Sequence, residues 1–200
     1  IQCDNNRLTD LNVTNCTSLN YLSCVYNQLT SLNLSGLYNL KDLICLGNQM
    51  NGLNLEDCPK IDHINASNNE LISLNLTFNV NVVTLLCGNN QLKTIFMKNG
   101  KTINNLDFNN NPELAYICSN EDDIEMLKTK AQSYGIDNIE INSYCSFTPG
   151  GKFYTITGKN IYDSNENCCD NFDKKLPHLK YTISNGIVGG TILSNITGNY

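Results

Sequence analysis

The chain has 200 residues and a net charge of -6, with 13 Lys plus Arg spread along it. The basic stripe that neutralises a phosphate backbone is therefore absent, and nucleic acid is excluded as a partner. No apolar run approaches the ~20 residues that span a bilayer, so membrane insertion is not expected, and the opening Ile1-Gln2-Cys3-Asp4 has neither the basic start nor the apolar stretch of a targeting peptide. Asn and Leu, 35 and 25 residues, fill 60 of 200 positions, a usage far enough from average to call for a search for internal repeats.

The pattern LxxLxCxxNxL begins at Leu19, Leu22, Cys24, Asn27 and Leu29 and returns every 21 residues. The copies are Leu40, Leu43, Cys45, Asn48, Met50; Ile61, Ile64, Ala66, Asn69, Leu71; Val82, Leu85, Cys87, Asn90, Leu92; and Ile103, Leu106, Phe108, Asn111. An incomplete first copy supplies Ile1, Cys3, Asn6 and Leu8. A second LxxLxL frame is nested inside each copy, as in Leu29, Leu32, Leu34 or Leu71, Leu74, Leu76, so each unit is expected to hold two short extended segments. Alternation in Leu22-Ser23-Cys24 turns two side chains inward and one outward, which gives one short strand per repeat and a parallel sheet when repeats stack. No repeat covers its apolar face alone; its neighbours do so.

These residues resemble the leucine-rich repeat over about residues 1–118. The Cys slot and the nested second frame are similar to the short 21-residue variety of secreted and surface proteins of Bacteroidetes-type bacteria. That resemblance implies a repeat solenoid with little helix, a non-catalytic role in protein binding, a secreted or cell-surface location and export by type IX secretion.

The Asn column (Asn6, Asn27, Asn48, Asn69, Asn90, Asn111) falls where the chain turns away from each strand. An inward Asn amide both donates to and accepts from backbone groups there, and an unsatisfied buried group costs ~1–3 kcal/mol. Of the ten cysteines, Cys3, Cys24, Cys45 and Cys87 share an inward slot with Ala66 and Phe108, and Cys16 and Cys58 share a second slot; these six read as small buried hydrophobes. Cys118, Cys145, Cys168 and Cys169 are out of phase and are the disulfide candidates, with Cys118–Cys145 and Cys145 paired to Cys168 or Cys169 all open.

The period fails after Asn111, where Pro112 enters and Leu114 and Ile117 arrive one residue late. Ser119 and Asp122 form a capping-box pattern, and Ile124, Leu127, Ala131 and Tyr134 follow at helical spacing before Gly135, which predicts a helix over 120–134. Alternation around Ile139 and Ile141 predicts a strand over 138–142. Residues 119–145 are thus expected to form the C-terminal cap that a solenoid requires. Ser146 to Gly151 is turn-rich and reads, with residue 152, as a linker.

Beyond it the period changes to two. The run Lys159-Asn160-Ile161-Tyr162-Asp163, the Asn/Asp loop after it, Leu179-Lys180-Tyr181-Thr182-Ile183 and the closing Thr197-Gly198-Asn199-Tyr200 resemble the opening strands of prealbumin-like, B-type β-sandwich modules of bacterial adhesins. The resemblance implies a partial sandwich over 153–200 and a calcium loop on Asp163, Asn165, Asn167, Asp170 and Asp173, all oxygen donors. Cys168 stands where that loop carries Gly. A start inside a repeat and an end after about half the sandwich strands lead us to expect a piece of a longer protein.

Catalysis finds little in the sequence: the two histidines, His63 and His178, lie in different modules, and no nucleophile elbow or phosphate-cradling glycine loop occurs. The outward strand positions differ from copy to copy while the inward ones stay nearly constant. Tyr21, Val25, Ile44, Leu46 and Leu86 are expected to form an apolar patch beside Asp42 and His63, and these seven residues are the candidate binding site for a host or matrix protein or a glycan. The other expectation is a spacer that holds another domain away from the cell.

Overall fold

The computed structural model describes residues 1–145, 158–162, 174–184, 189–193 and 199, in two compact units, Ile1–Pro149 and Gly150–Tyr200. In the first unit the strands are β1 (Tyr21–Ser23), β2 (Asp42–Ile44), β3 (His63–Asn65), β4 (Ser73–Asn75), β5 (Thr84–Leu86), β6 (Thr94–Phe96), β7 (Asn105–Asp107), β8 (Tyr116–Cys118) and β9 (Glu140–Asn142). One helix, α1 (Ile124–Ser133), lies between β8 and β9 after a 3-10 turn at Glu121–Asp123.

Two parallel sheets result. Sheet one runs β1-β2-β3-β5-β7 and sheet two β4-β6-β8-β9. In sheet one the register advances by the sequence period, with Leu22 beside Leu43, Leu43 beside Ile64, Ile64 beside Leu85 and Leu85 beside Leu106. These five side chains and Leu74, Ile95, Ile117 and Ile141 of sheet two are buried. Each such side chain taken from water contributes roughly 1.5–3 kcal/mol. Short parallel strands in strict register with little helix make this unit a repeat solenoid. The second frame yields strands only from β4 onward: Leu32 and Leu34, or Leu53 and Leu55, are buried in the same columns but outside any strand. Two segments with one apolar pattern therefore share burial without sharing a hydrogen-bond ladder.

The Asn column does more than close its own turns. Asn48 donates to Cys45 O at 3.1 Å within its repeat and to Cys24 O at 3.0 Å in the preceding one, and accepts the Leu29 N–H at 3.0 Å. Asn27, Asn69, Asn90 and Asn111 repeat this arrangement. Asn6 reaches only Cys3 O and Asp4 O and is exposed. Two more Asn columns have other duties. Asn12, Asn33, Asn54 and Asn75 accept the N–H two residues on, which folds an exposed turn. Asn5, Asn68, Asn89 and Asn110 sit at positive φ, a region Asn tolerates.

Cys24, Cys45, Cys58 and Cys87 are buried, whereas Cys3 and Cys16 are only half-buried. Burial pushes the Cys24 thiol up to about 12 and the Cys58 thiol to about 11, and raises those of Cys45 and Cys87 as well. Cys118 and Cys145 form a disulfide across 27 residues; Cys168 and Cys169 lie outside the described residues.

The predicted helix is shorter than its pattern, because residues 121–123 wind as a 3-10 turn. The Ser119–Asp122 capping box does not form. Ser119 is fully buried, and Asn120 ties the turn instead, accepting the Gly100 N–H and donating to Lys101 O and Asp123 Oδ2. The helix ends as the sequence indicates, with Gly135 at φ +72 and the Ile136 N–H returning to Ala131 O at 3.0 Å. Leu127 and Ala131 are buried, and Tyr134 meets Phe108 edge-on with ring centres 5.2 Å apart. The chain then pairs β9, three residues rather than the predicted five, beside β8.

In the second unit β10 (Ile161–Tyr162) pairs antiparallel with β11 (Lys174–Lys175), and β12 (Lys180–Ser184) with β13 (Gly189–Leu193). Tyr181 donates through its hydroxyl to Asn160 Oδ1, and the Leu176 N–H donates to Asn160 O at 2.9 Å. The linker over 146–152 and the five proposed calcium donors lie outside the described residues.

Candidate functional site

Sheet one presents three outward columns, and the strand register decides which of their residues meet. Tyr21 lies beside Asp42, Asp42 beside His63 and His63 beside Thr84; in the next column Ser23, Ile44, Asn65, Leu86 and Asp107 follow one another. The third column is Val25, Leu46, Ser67, Gly88 and Asn109. Tyr21, Val25, Ile44 and Leu46 therefore come together on β1, β2 and the residues just after them. Leu86 stands apart, separated by the polar Asn65 of β3. Val25, Ile44, Leu46 and Leu86 are half-buried by their neighbours on the sheet rather than fully exposed, while Tyr21 is 40% exposed.

Sequence reasoning missed Tyr26, which extends the patch. It occupies the positive-φ column, at φ +49, where the other copies carry Asn or Gly. A left-handed conformation costs an ordinary side chain about 1–2 kcal/mol. Its ring, 55% exposed, lies over Gly47, where any added Cβ would strike it. The Tyr26 N–H donates to Leu46 O at 2.9 Å, which holds the ring beside the Leu46 column. The signal was legible as the single aromatic in the column Asn5, Tyr26, Gly47, Asn68, Asn89, Asn110.

Asp42 and His63, placed in the candidate site by their column, are joined by Asp62, which sequence reasoning also missed. His63 Nδ1 is 2.7 Å from Asp62 Oδ1 and 3.5 Å from Asp42 Oδ1. The N–H groups of Asp62 and His63 both donate to Lys41 O, at 2.9 and 3.1 Å, so the backbone beneath this cluster is fixed. The signal was an Asp-His pair one period downstream of Lys41-Asp42.

The ends of the face are occupied by the chain itself. At one end Asp4 accepts hydrogen bonds from Ser23 Oγ and the Val25 N–H, at 2.6 and 2.8 Å. Burial would raise its carboxyl, but these bonds and one from Gln2 hold it below the usual range. At the other end the Tyr134 phenol is pushed up to about 12, first by burial and then by its hydrogen bond to Asp107. Sheet two is also covered at its far end, where Tyr116 is buried and its single hydroxyl proton is shared between Asn142 Oδ1 and Tyr144 O, at 2.8 and 2.7 Å. An open groove of about 660 Å³ lies between residues 110–115 and 134–138, where the period breaks. Among the described residues, Glu113 and Asp137 are its only titratable carboxyls, and neither a histidine nor a cysteine lines it.

No family model and no curated protein matches the chain. Among solved structures, the functional domain of InlJ from Listeria monocytogenes, described as including a cysteine ladder, is similar at 24% identity with a TM-score of 0.45. The similarity covers 60% of this chain and 29% of that one, so the chain spans less than a third of its length.

Proposed function

We propose that the outer face of sheet one is a protein-binding surface, centred on Tyr21, Val25, Tyr26, Ile44 and Leu46, in a bacterial secreted or cell-surface leucine-rich repeat protein. The observation that carries this reading is Tyr26, an exposed aromatic held at positive φ against Gly47. The turn takes a left-handed conformation in every copy, which Asn and Gly adopt at little cost, so an exposed aromatic kept there against that cost serves something other than the turn. Exposed tyrosines such as Tyr21 and Tyr26 are also enriched in interface hot spots. Location outside the reducing cytosol is supported by the Cys118–Cys145 disulfide. The buried thiols fit the same setting, because raised values keep them from forming the reactive thiolate. Residues 119–145 serve as the solenoid's cap in this reading, with Leu127, Ala131 and Tyr134 closing the core, and the second unit opens a β-sandwich module.

The test uses the immobilised 200-residue chain, offered matrix proteins, serum proteins and a glycan array. The Ile44→Ser/Leu46→Ser variant should lose at least one protein ligand that the parent retains, while a Ser73→Glu variant on sheet two keeps it. A parent chain that retains nothing identifies a spacer, and a ligand kept by the double variant removes the patch from the interface.

A further inference from the structure

We propose that Asp42, Asp62 and His63 form a binding site for a divalent transition ion of the zinc class, with one oxygen from each carboxylate and Nδ1 of the imidazole as ligands. Their ligand atoms all lie within 4.8 Å of one another. Zinc held at about 2.0 Å in tetrahedral geometry needs ligand atoms about 3.3 Å apart. The two separations from Nδ1, 2.7 and 3.5 Å, bracket that value. The three side chains are a third to a half exposed, so side-chain rotation rather than a backbone shift is what would bring all three separations to that value.

Three features favour an ion over a simple surface ion pair. Two of the ligands, Asp42 and His63, are register partners on adjacent strands, and Asp62 is tied through its N–H to the strand that carries Asp42. The convergence is therefore built by the sheet rather than by flexible loops, which is the preorganisation a metal site requires. Next, the basic side chain within 4.0 Å of both Asp42 and Asp62 among the described residues is His63, so two carboxylates face one imidazole. A dication between them offsets both charges. Finally, an imidazole nitrogen with two carboxylates suits zinc and its neighbours, whereas calcium and magnesium take oxygen donors.

Three protein ligands leave a fourth position for water or for a group from another molecule. Asp42 and His63 lie in the column next to the one that carries Ile44. The inference stands independently of protein binding there, since an ion is held with or without a partner.

Zinc chloride is titrated calorimetrically into the full chain in a non-chelating buffer, after iodoacetamide has blocked the half-buried thiols of Cys3 and Cys16. The parent should bind one ion per chain, and excess calcium or magnesium should not displace it. His63→Ala, Asp42→Asn and Asp62→Asn should each weaken binding about tenfold or more, with an unchanged circular dichroism spectrum, while His178→Ala binds as the parent does. Absence of zinc binding in the parent, or parent-like affinity in any of the three ligand variants, overturns the site.

Discussion

Asn48 shows how much one side chain does in a stack of this kind. It satisfies two carbonyls and one N–H that belong to two successive repeats; its loss strands the buried Leu29 N–H and leaves the Cys24 and Cys45 carbonyls with one amide each, from Asn27 and Asn69. Asn48→Leu should cost about 2–4 kcal/mol in urea unfolding, whereas the exposed Asn6→Leu should cost well under ~1 kcal/mol; equal losses would contradict the role of the ladder. The turn-closing half of that role was legible in the sequence, since an amide can donate twice and accept as well, where a hydroxyl has one proton to give. The bond to the preceding repeat was not, because it depends on the spacing of stacked strands. A second effect at this scale concerns thiols. In the unfolded chain Cys45 releases its proton above about pH 8.5, but burial keeps it protonated in the fold. The folded state then binds the extra proton, so its stability is intact below that pH and declines above it, by up to ~1.4 kcal/mol per pH unit for each such thiol. Cys45→Ala, which copies Ala66 of the same column, should flatten part of the decline between about pH 8.5 and 10.5; an unaltered slope would count against the buried-thiol account.

Among the elements, the strands of sheet one follow directly from the period, because a fixed spacing and alternating burial leave one register that keeps every Leu inside. The second frame was less informative, since an apolar pattern reports burial and is silent on whether backbones pair. Its early copies bury Leu32, Leu34, Leu53 and Leu55 without forming strands. The extra residue after Asn111 was visible, but its consequence was not. Cys118 enters the outward column of sheet two beside Phe96 and is buried there by the return of the chain through Tyr144 and Cys145. That disulfide closes a span of 27 residues holding all of α1 and β9. On a loop-entropy basis the Cys118→Ser/Cys145→Ser variant should lose about 3–4 kcal/mol. The loss should appear in thermal unfolding of the parent once dithiothreitol is added; a reductant-insensitive midpoint would show that helix packing alone holds the end of the solenoid.

For the whole molecule, stacking divides the residues into two populations. Inward columns repeat because each must fit the repeat before and after it. Outward columns are free of that demand, and there the chain places Tyr21, Tyr26, Ile44 and Leu46 together with the Asp42, Asp62, His63 cluster. Asp62 and Tyr26 escaped the sequence reading because both lie outside the strand positions that the pattern marks, and register and a positive φ brought them to the face. The central claim is that the aliphatics of this face serve recognition rather than folding. Its most direct test is the unfolding midpoint of Ile44→Ser/Leu46→Ser in urea, set beside that of Asn48→Leu. Half-buried outward side chains should cost about 1 kcal/mol each, so the double variant should lose at most about 2 kcal/mol and stay above Asn48→Leu. A midpoint as low as that of Asn48→Leu would place Ile44 and Leu46 in the structural core and contradict the claim.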